Sequence, residues 1–169
     1  MARSFDIVVL ADPRFPGGTS TALAEELHAG AAANWRTALL LLESAALRFP
    51  HPFHPAVRAA LDAGAAELVE PGVAIEAGLV LAHHPELFRF QPTQSLRLRA
   101  EQRLLIVHHP PRDAEGQPFY DPAAIARNAE ESLGGPVLWA PVGPAVRAQL
   151  DGALALLPED WVNVIDAEP

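Results

Sequence analysis

The chain has 169 residues, half of them hydrophobic, with a formal charge of -9 and no cysteine. That length suits one domain with a sizeable core, and the hydrophobic share excludes disorder as the dominant state. Net acidity speaks against nucleic acid as a partner, and the missing cysteines exclude disulfides and thiolate metal sites.

No apolar run is long enough to span a bilayer, so the chain is not expected to be transmembrane. Asp6 interrupts the first apolar run, which argues against a signal peptide. A cytoplasmic location is the expectation. The twelve arginines and complete absence of lysine reflect genome base composition before chemistry.

Residues 5–10 predict a strand, 11–18 a loop with two prolines and a Gly-Gly pair, and 21–33 a helix capped by Thr19 or Ser20. A strand over 36–42 carries four consecutive leucines, suited to burial on both faces. Residues 45–55 form a loop rich in Pro, Phe and His. A helix over 55–63 then stops at Gly64. Strands are expected at 67–69, 78–82 and 104–107, with a helix over 94–102 between the last two. Asp121-Pro122 opens a helix that ends near Leu133, before Gly134. A strand at 137–139, a helix over 144–154 and a strand at 162–165 complete the order. Strands alternating with helices imply an α/β fold: a Rossmann-like, doubly wound, mostly parallel sheet with helices on both faces.

Two repeated triplets, His83-His84-Pro85 and His108-His109-Pro110, each follow a predicted strand. Ligands of open α/β sheets bind just beyond the carboxyl ends of the strands, so these imidazoles are candidates for a ligand site. Proline after each pair favours extended geometry and ends the strand. The plainer alternative is a strand end whose histidines bond only to backbone.

Gly17-Gly18-Thr19 lies between the first strand and helix, where glycines let backbone approach an anion and the helix supplies free N–H donors. It matches neither G-x-G-x-x-G nor a Walker loop, and a tight turn needing positive φ explains it equally well. His51 and His54 sit on a Pro-stiffened loop and His28 on a helix surface. Glu25-Glu26 and Glu130-Glu131 read as solvated helix faces, and Ser20 lacks a nucleophile-elbow context.

The order of these motifs resembles the N-terminal half of GT-B glycosyltransferases of the retaining, family 4-like type. Those enzymes open with a strand, a Gly-Gly loop and a helix. They carry a His-x-His-like element after a middle strand and another His after the next. The resemblance covers nearly the whole chain and implies an acceptor-side domain, 1–169, with nucleotide-sugar donor and acceptor as partners. It implies no metal and no cofactor. By position, Gly17, Gly18 and Thr19 with His83 and His84 would bind substrate, and His108 or His109 would contact the transferred sugar. It also implies a C-terminal nucleotide-sugar-binding domain beyond residue 169, without which the chain would be inactive.

Two other readings compete. A stand-alone nucleotide- or phosphate-binding module would use the same glycine loop, with Glu43, 25 residues after Gly18, on a ribose hydroxyl. A zinc-dependent hydrolase would need His ligands from both triplets plus a carboxylate, and no His-x-His or His-Glu-x-x-His spacing supports it.

Overall fold

Strand β1 (Arg3–Ala11) is buried from Val8 to Ala11, as an unbroken apolar run demands when helices cover both faces of a sheet. In the computed structural model, which describes residues 1–47, 49–92, 95–150 and 152–163, β1 pairs in parallel with β2 (Thr37–Leu41) on one side and β4 (Ile75–His83) on the other. β3 (Glu67–Val69) extends the sheet beyond β2. β5 (Leu98–Val107) and β6 (Leu138–Pro141) extend it beyond β4. The order is β3-β2-β1-β4-β5-β6, all parallel.

Alternation along β1 separates two cores. Val9, Ala11 and Leu39 pack with Leu23 and Leu27 of α1 (Gly18–Ala32) and Val57 and Ala60 of α2 (Pro55–Asp62). Val8, Leu10, Val80 and Leu105 pack on the other face with Ile125, Ala129 and Leu133 of α3 (Pro122–Leu133) and Val146 of α4 (Pro144–Arg147). Helices thus cover both faces, and the fold is a Rossmann-like, doubly wound α/β sheet.

The expected helix ends are present. Asp121 caps α3 by accepting from the Ala123 N–H at 3.0 Å, and Gly134 closes it with a left-handed φ of 71°.

Several boundaries differ from expectation. The helix expected over 94–102 is instead the first half of β5, which begins at Leu98; Gln94 lies outside the described residues. Leu98, Ala100, Leu105 and Val107 belong to, or pack on, the α3-face core, and strand geometry brings them there. The helix expected over 144–154 ends at Arg147, because the chain turns back along β6. There the Trp139 N–H donates to Ala155 O at 2.8 Å, and the Leu157 N–H donates to Trp139 O at 2.8 Å. Val162 and Asn163 are not in a strand; the remainder of that expected strand lies outside the described residues. Among the described residues no helix is long and apolar enough to cross a membrane.

Trp139 heads the fully buried side chains by size, and it anchors the α3-face core. Trp139→Ala is expected to cost about 3–5 kcal/mol of unfolding free energy. Urea denaturation followed by circular dichroism measures this, and a loss below about 1 kcal/mol would contradict it.

Candidate functional site

Parallel pairing of β4 with β5 sets His83 opposite Ile106, so the two His-His pairs leave the sheet side by side. The structure brings all four rings together. His83 and His108 stack with centroids 5.7 Å apart, and His84 and His108 with centroids 6.2 Å apart. His84 and His109 lie at 4.8 Å with their planes tilted by 56°.

His83 is the last residue of β4 and falls on the α1 side of the sheet, opposite in sense to Val80 and Ala82. Its side chain is 1% exposed, and Nε2 lies 2.8 Å from Glu26 Oε2 of α1. This is an ion-pair approach off the line that a hydrogen bond requires, since neither ring nitrogen has a hydrogen-bond partner. Glu26 is therefore not the solvated helix residue that its Glu-Glu context suggests; Glu25, Glu130 and Glu131 are exposed.

His84 adopts φ 130°, a region that residues with a Cβ rarely occupy. The conformation lets His84 Nδ1 accept from the Glu86 N–H at 3.2 Å, capping the 3₁₀ turn Pro85–Phe88. His109 is held at three points. Its Nδ1 lies 3.0 Å from Pro110 O, its carbonyl accepts from the Tyr120 hydroxyl at 2.9 Å, and its ring meets Phe119 edge-on at 5.2 Å.

Burial and crowding disfavour charge on two of these imidazoles. Burial, and then the neighbouring rings His109, His108 and His83, push the His84 pKa down to about 3. Burial, with His83 and His109, pushes His108 down to about 4. Burial raises the Glu86 carboxyl despite Arg89 Nε at 3.0 Å from its Oε2. Tyr120 is likewise raised by burial and by Glu86.

The glycine loop joins this cluster through Phe15, whose ring stacks on His84 with centroids 5.4 Å apart. The helix starts at Gly18 rather than Thr21, with Gly17 at φ 85° as its N-cap and no side-chain cap hydrogen bond. Ser20, an expected cap, instead donates its hydroxyl to Phe15 O at 2.6 Å and braces the loop. A Cβ at Gly17 or Gly18 would meet nothing within 4 Å, so this helix end is open to an approaching anion. Thr19 is half-buried beside it.

Asp12, at the end of β1, is the residue that sequence reasoning missed. It is 3% exposed. It accepts from Arg14 Nε at 2.8 Å, from the Arg14 Nη2 at 2.7 Å and from the Ser44 N–H at 2.8 Å. The hydrogen bond to Asp12 raises the Arg14 pKa further. Arg14 Nη1 also lies 3.4 Å from Glu43, which is thereby engaged rather than idle. The available signal was an acid ending an apolar strand with arginine two residues on.

His51 is exposed, and His54 caps α2 by accepting from the Ala56 N–H at 3.3 Å; neither joins the cluster. The rings of the cluster meet largely face to face, and among the described residues no group of three or more His, Asp or Glu is arranged to hold a metal ion. A cavity of about 510 Å³ beside the cluster is lined by Leu42, Glu43, Ser44, Glu86, Leu87 and Phe90, among others. None of the four histidines lines it; Glu86 is the residue it shares with the cluster's surroundings.

Comparison with protein-family models, curated proteins and solved structures finds no match.

The depressed histidines set an acid limit on stability. Both His84 and His108 titrate lower in the fold than in the unfolded chain, so protons favour the unfolded chain. Stability present above about pH 6.5 is therefore lost as pH falls towards 4, by roughly 1–2 kcal/mol per ring at about pH 5. The raised Glu86 carboxyl works in the opposite direction and offsets part of this. Urea midpoints at about pH 7.5 and pH 5 check the expectation. The midpoint should fall in acid, and the double variant His84→Asn, His108→Asn should flatten the fall; an unchanged wild-type midpoint contradicts it.

Proposed function

We propose that this chain is the acceptor-side domain of a retaining glycosyltransferase of the GT-B, family 4-like type. The observation that carries the reading is one of place. The Phe15–Gly18 loop and both histidine pairs converge at the carboxyl ends of β1, β4 and β5, where the strand order reverses about β1 and β4.

In this reading the open N-terminus of α1 at Gly17, Gly18 and Thr19 takes donor phosphate charge through backbone N–H groups. His83 and His84 belong to the substrate wall, and His108 or His109 contacts the transferred sugar. His84 and His108, held neutral by burial, would contribute polarity rather than charge. The 510 Å³ cavity beside Glu86 offers room for an acceptor. The nucleotide would be held chiefly by a second α/β domain, and phosphate charge would be met by amides here and basic groups there, without a metal.

A second reading, a stand-alone nucleotide- or phosphate-binding module, draws on the same uncapped helix end. Glu43 fits its ribose role less well, because Arg14 already lies 3.4 Å from its carboxylate.

The complete product of the gene, incubated with a set of nucleotide-sugars, separates the two. Nucleotide release or sugar transfer is expected, and His108→Ala should reduce it by about 10²–10³-fold. Nucleotide binding without turnover of any donor would favour the second reading.

A further inference from the structure

His84 and His109 make opposite hydrogen bonds to the backbone, and those bonds dictate where their protons sit. A backbone N–H can only donate. Because His84 Nδ1 accepts from the Glu86 N–H at 3.2 Å, that nitrogen carries no proton, and the neutral ring is protonated at Nε2. A carbonyl can only accept. Because His109 Nδ1 lies 3.0 Å from Pro110 O, that nitrogen carries the proton, and Nε2 of the neutral ring is a free acceptor.

Both Nε2 atoms are open. Neither is among the buried nitrogens lacking a hydrogen bond, in contrast to His83 Nε2 and His108 Nε2, and neither bonds to any described residue. The ring centroids are 4.8 Å apart with the planes tilted by 56°. A hydrogen bond spans about 2.8 Å, so ring spacing of this order is compatible with one hydroxyl, or two neighbouring hydroxyls, serving both rings.

We propose that His84 and His109 form a matched donor and acceptor pair that recognises a hydroxyl of a polyhydroxylated ligand such as a sugar. His84 Nε2–H donates to the hydroxyl oxygen, and His109 Nε2 accepts the hydroxyl proton. A hydroxyl is both donor and acceptor and satisfies both nitrogens at once. An ether oxygen or an unprotonated phosphate oxygen can accept from His84 but leaves His109 unpaired. An ammonium can donate to His109 but leaves His84 unpaired. The pair thus selects against the phosphate chemistry expected at the neighbouring Gly17 helix end.

Three features of the surroundings hold the arrangement. The φ of 130° at His84 fits its ring to the Glu86 N–H. Phe15 stacks on the His84 ring with centroids 5.4 Å apart. The Tyr120 hydroxyl fixes the His109 carbonyl at 2.9 Å. Burial keeps His84 neutral, which preserves the asymmetry of the pair.

The inference rests on placing the sugar at this sheet edge, as the transferase reading does, but it does not require transfer. Long-range proton–nitrogen NMR of the imidazoles in the full chain tests it directly. At about pH 8, above the ordinary imidazole range, His84 should appear as the Nε2–H tautomer and His109 as the Nδ1–H tautomer. Titration with methyl glucoside, methyl galactoside and inositol should then shift the His84 and His109 signals saturably for at least one of the three. The permethylated glycosides, which accept but cannot donate, should bind about tenfold more weakly. His84→Phe and His109→Phe should each weaken the same binding by about tenfold. Reversed or mixed tautomers, no response to any of the three, or equal binding of the permethylated compounds would overturn the proposal. Those results leave donor turnover by the complete gene product untouched, and failure of that turnover leaves the tautomers and hydroxyl binding standing.

Discussion

Parallel pairing of β4 against β1 is the constraint from which the site follows. The chain leaving β1 runs to β2 on one side of this pair, and the chain leaving β4 runs to β5 on the other. A gap therefore opens above the carboxyl ends of β1 and β4, because no connection crosses there. The glycine loop enters this gap from β1, and the histidines enter it from β4 and, one strand further, from β5. Their meeting needs no long-range steering beyond strand register. The Asp12–Arg14 interaction, with its bond onward to the Ser44 N–H, ties the end of β1 to the chain leaving β2 and keeps that side of the gap ordered.

Within the gap, burial and chemistry pull in different directions. Four imidazoles meet at ring separations of 4.8 to 6.2 Å, and burial together with the neighbouring rings drives His84 and His108 neutral. A neutral imidazole is a directional donor and acceptor rather than a cation, so His84 and His108 offer hydrogen bonds rather than net charge. The anion-attracting element is left to the helix dipole and open N–H groups at Gly17 and Gly18. Under the proposed function, polar and charge recognition would thus be separated, and the Phe15 ring stacked on His84 physically links the two elements.

Much of this frame was legible in the chain itself. Unbroken apolar runs at residues 7–11 and 104–107 mark strands buried on both faces, and Asp121-Pro122 with Gly134 marks both ends of α3. The doubled His-His-Pro pointed to two strand ends, and parallel pairing made them neighbours. What escaped was set by tertiary partners. Residues 98–103 carry several charges that suggest a helical surface, yet they alternate in burial at the exposed beginning of β5. Glu26 looks like its neighbour Glu25, and only the turn of α1 over β4 distinguishes them by bringing Glu26 to His83. Ser20 looks like a helix cap, but the φ of 85° at Gly17 starts the helix earlier and frees the serine for Phe15 O. Tautomers are still less accessible from sequence, since they depend on which backbone group each ring nitrogen meets.

The backbone at His84 carries one more implication. A φ of 130° belongs to the range that glycine enters freely and that a Cβ penalises, so glycine would relieve the main chain at this position. Relief would come with loss of the ring that caps the 3₁₀ turn and faces His109 and Phe15. Main-chain ease and the ring's contacts therefore favour different residues at one position. Selection for a sturdier fold alone would drift towards glycine there, whereas selection that retains the imidazole accepts a standing conformational strain.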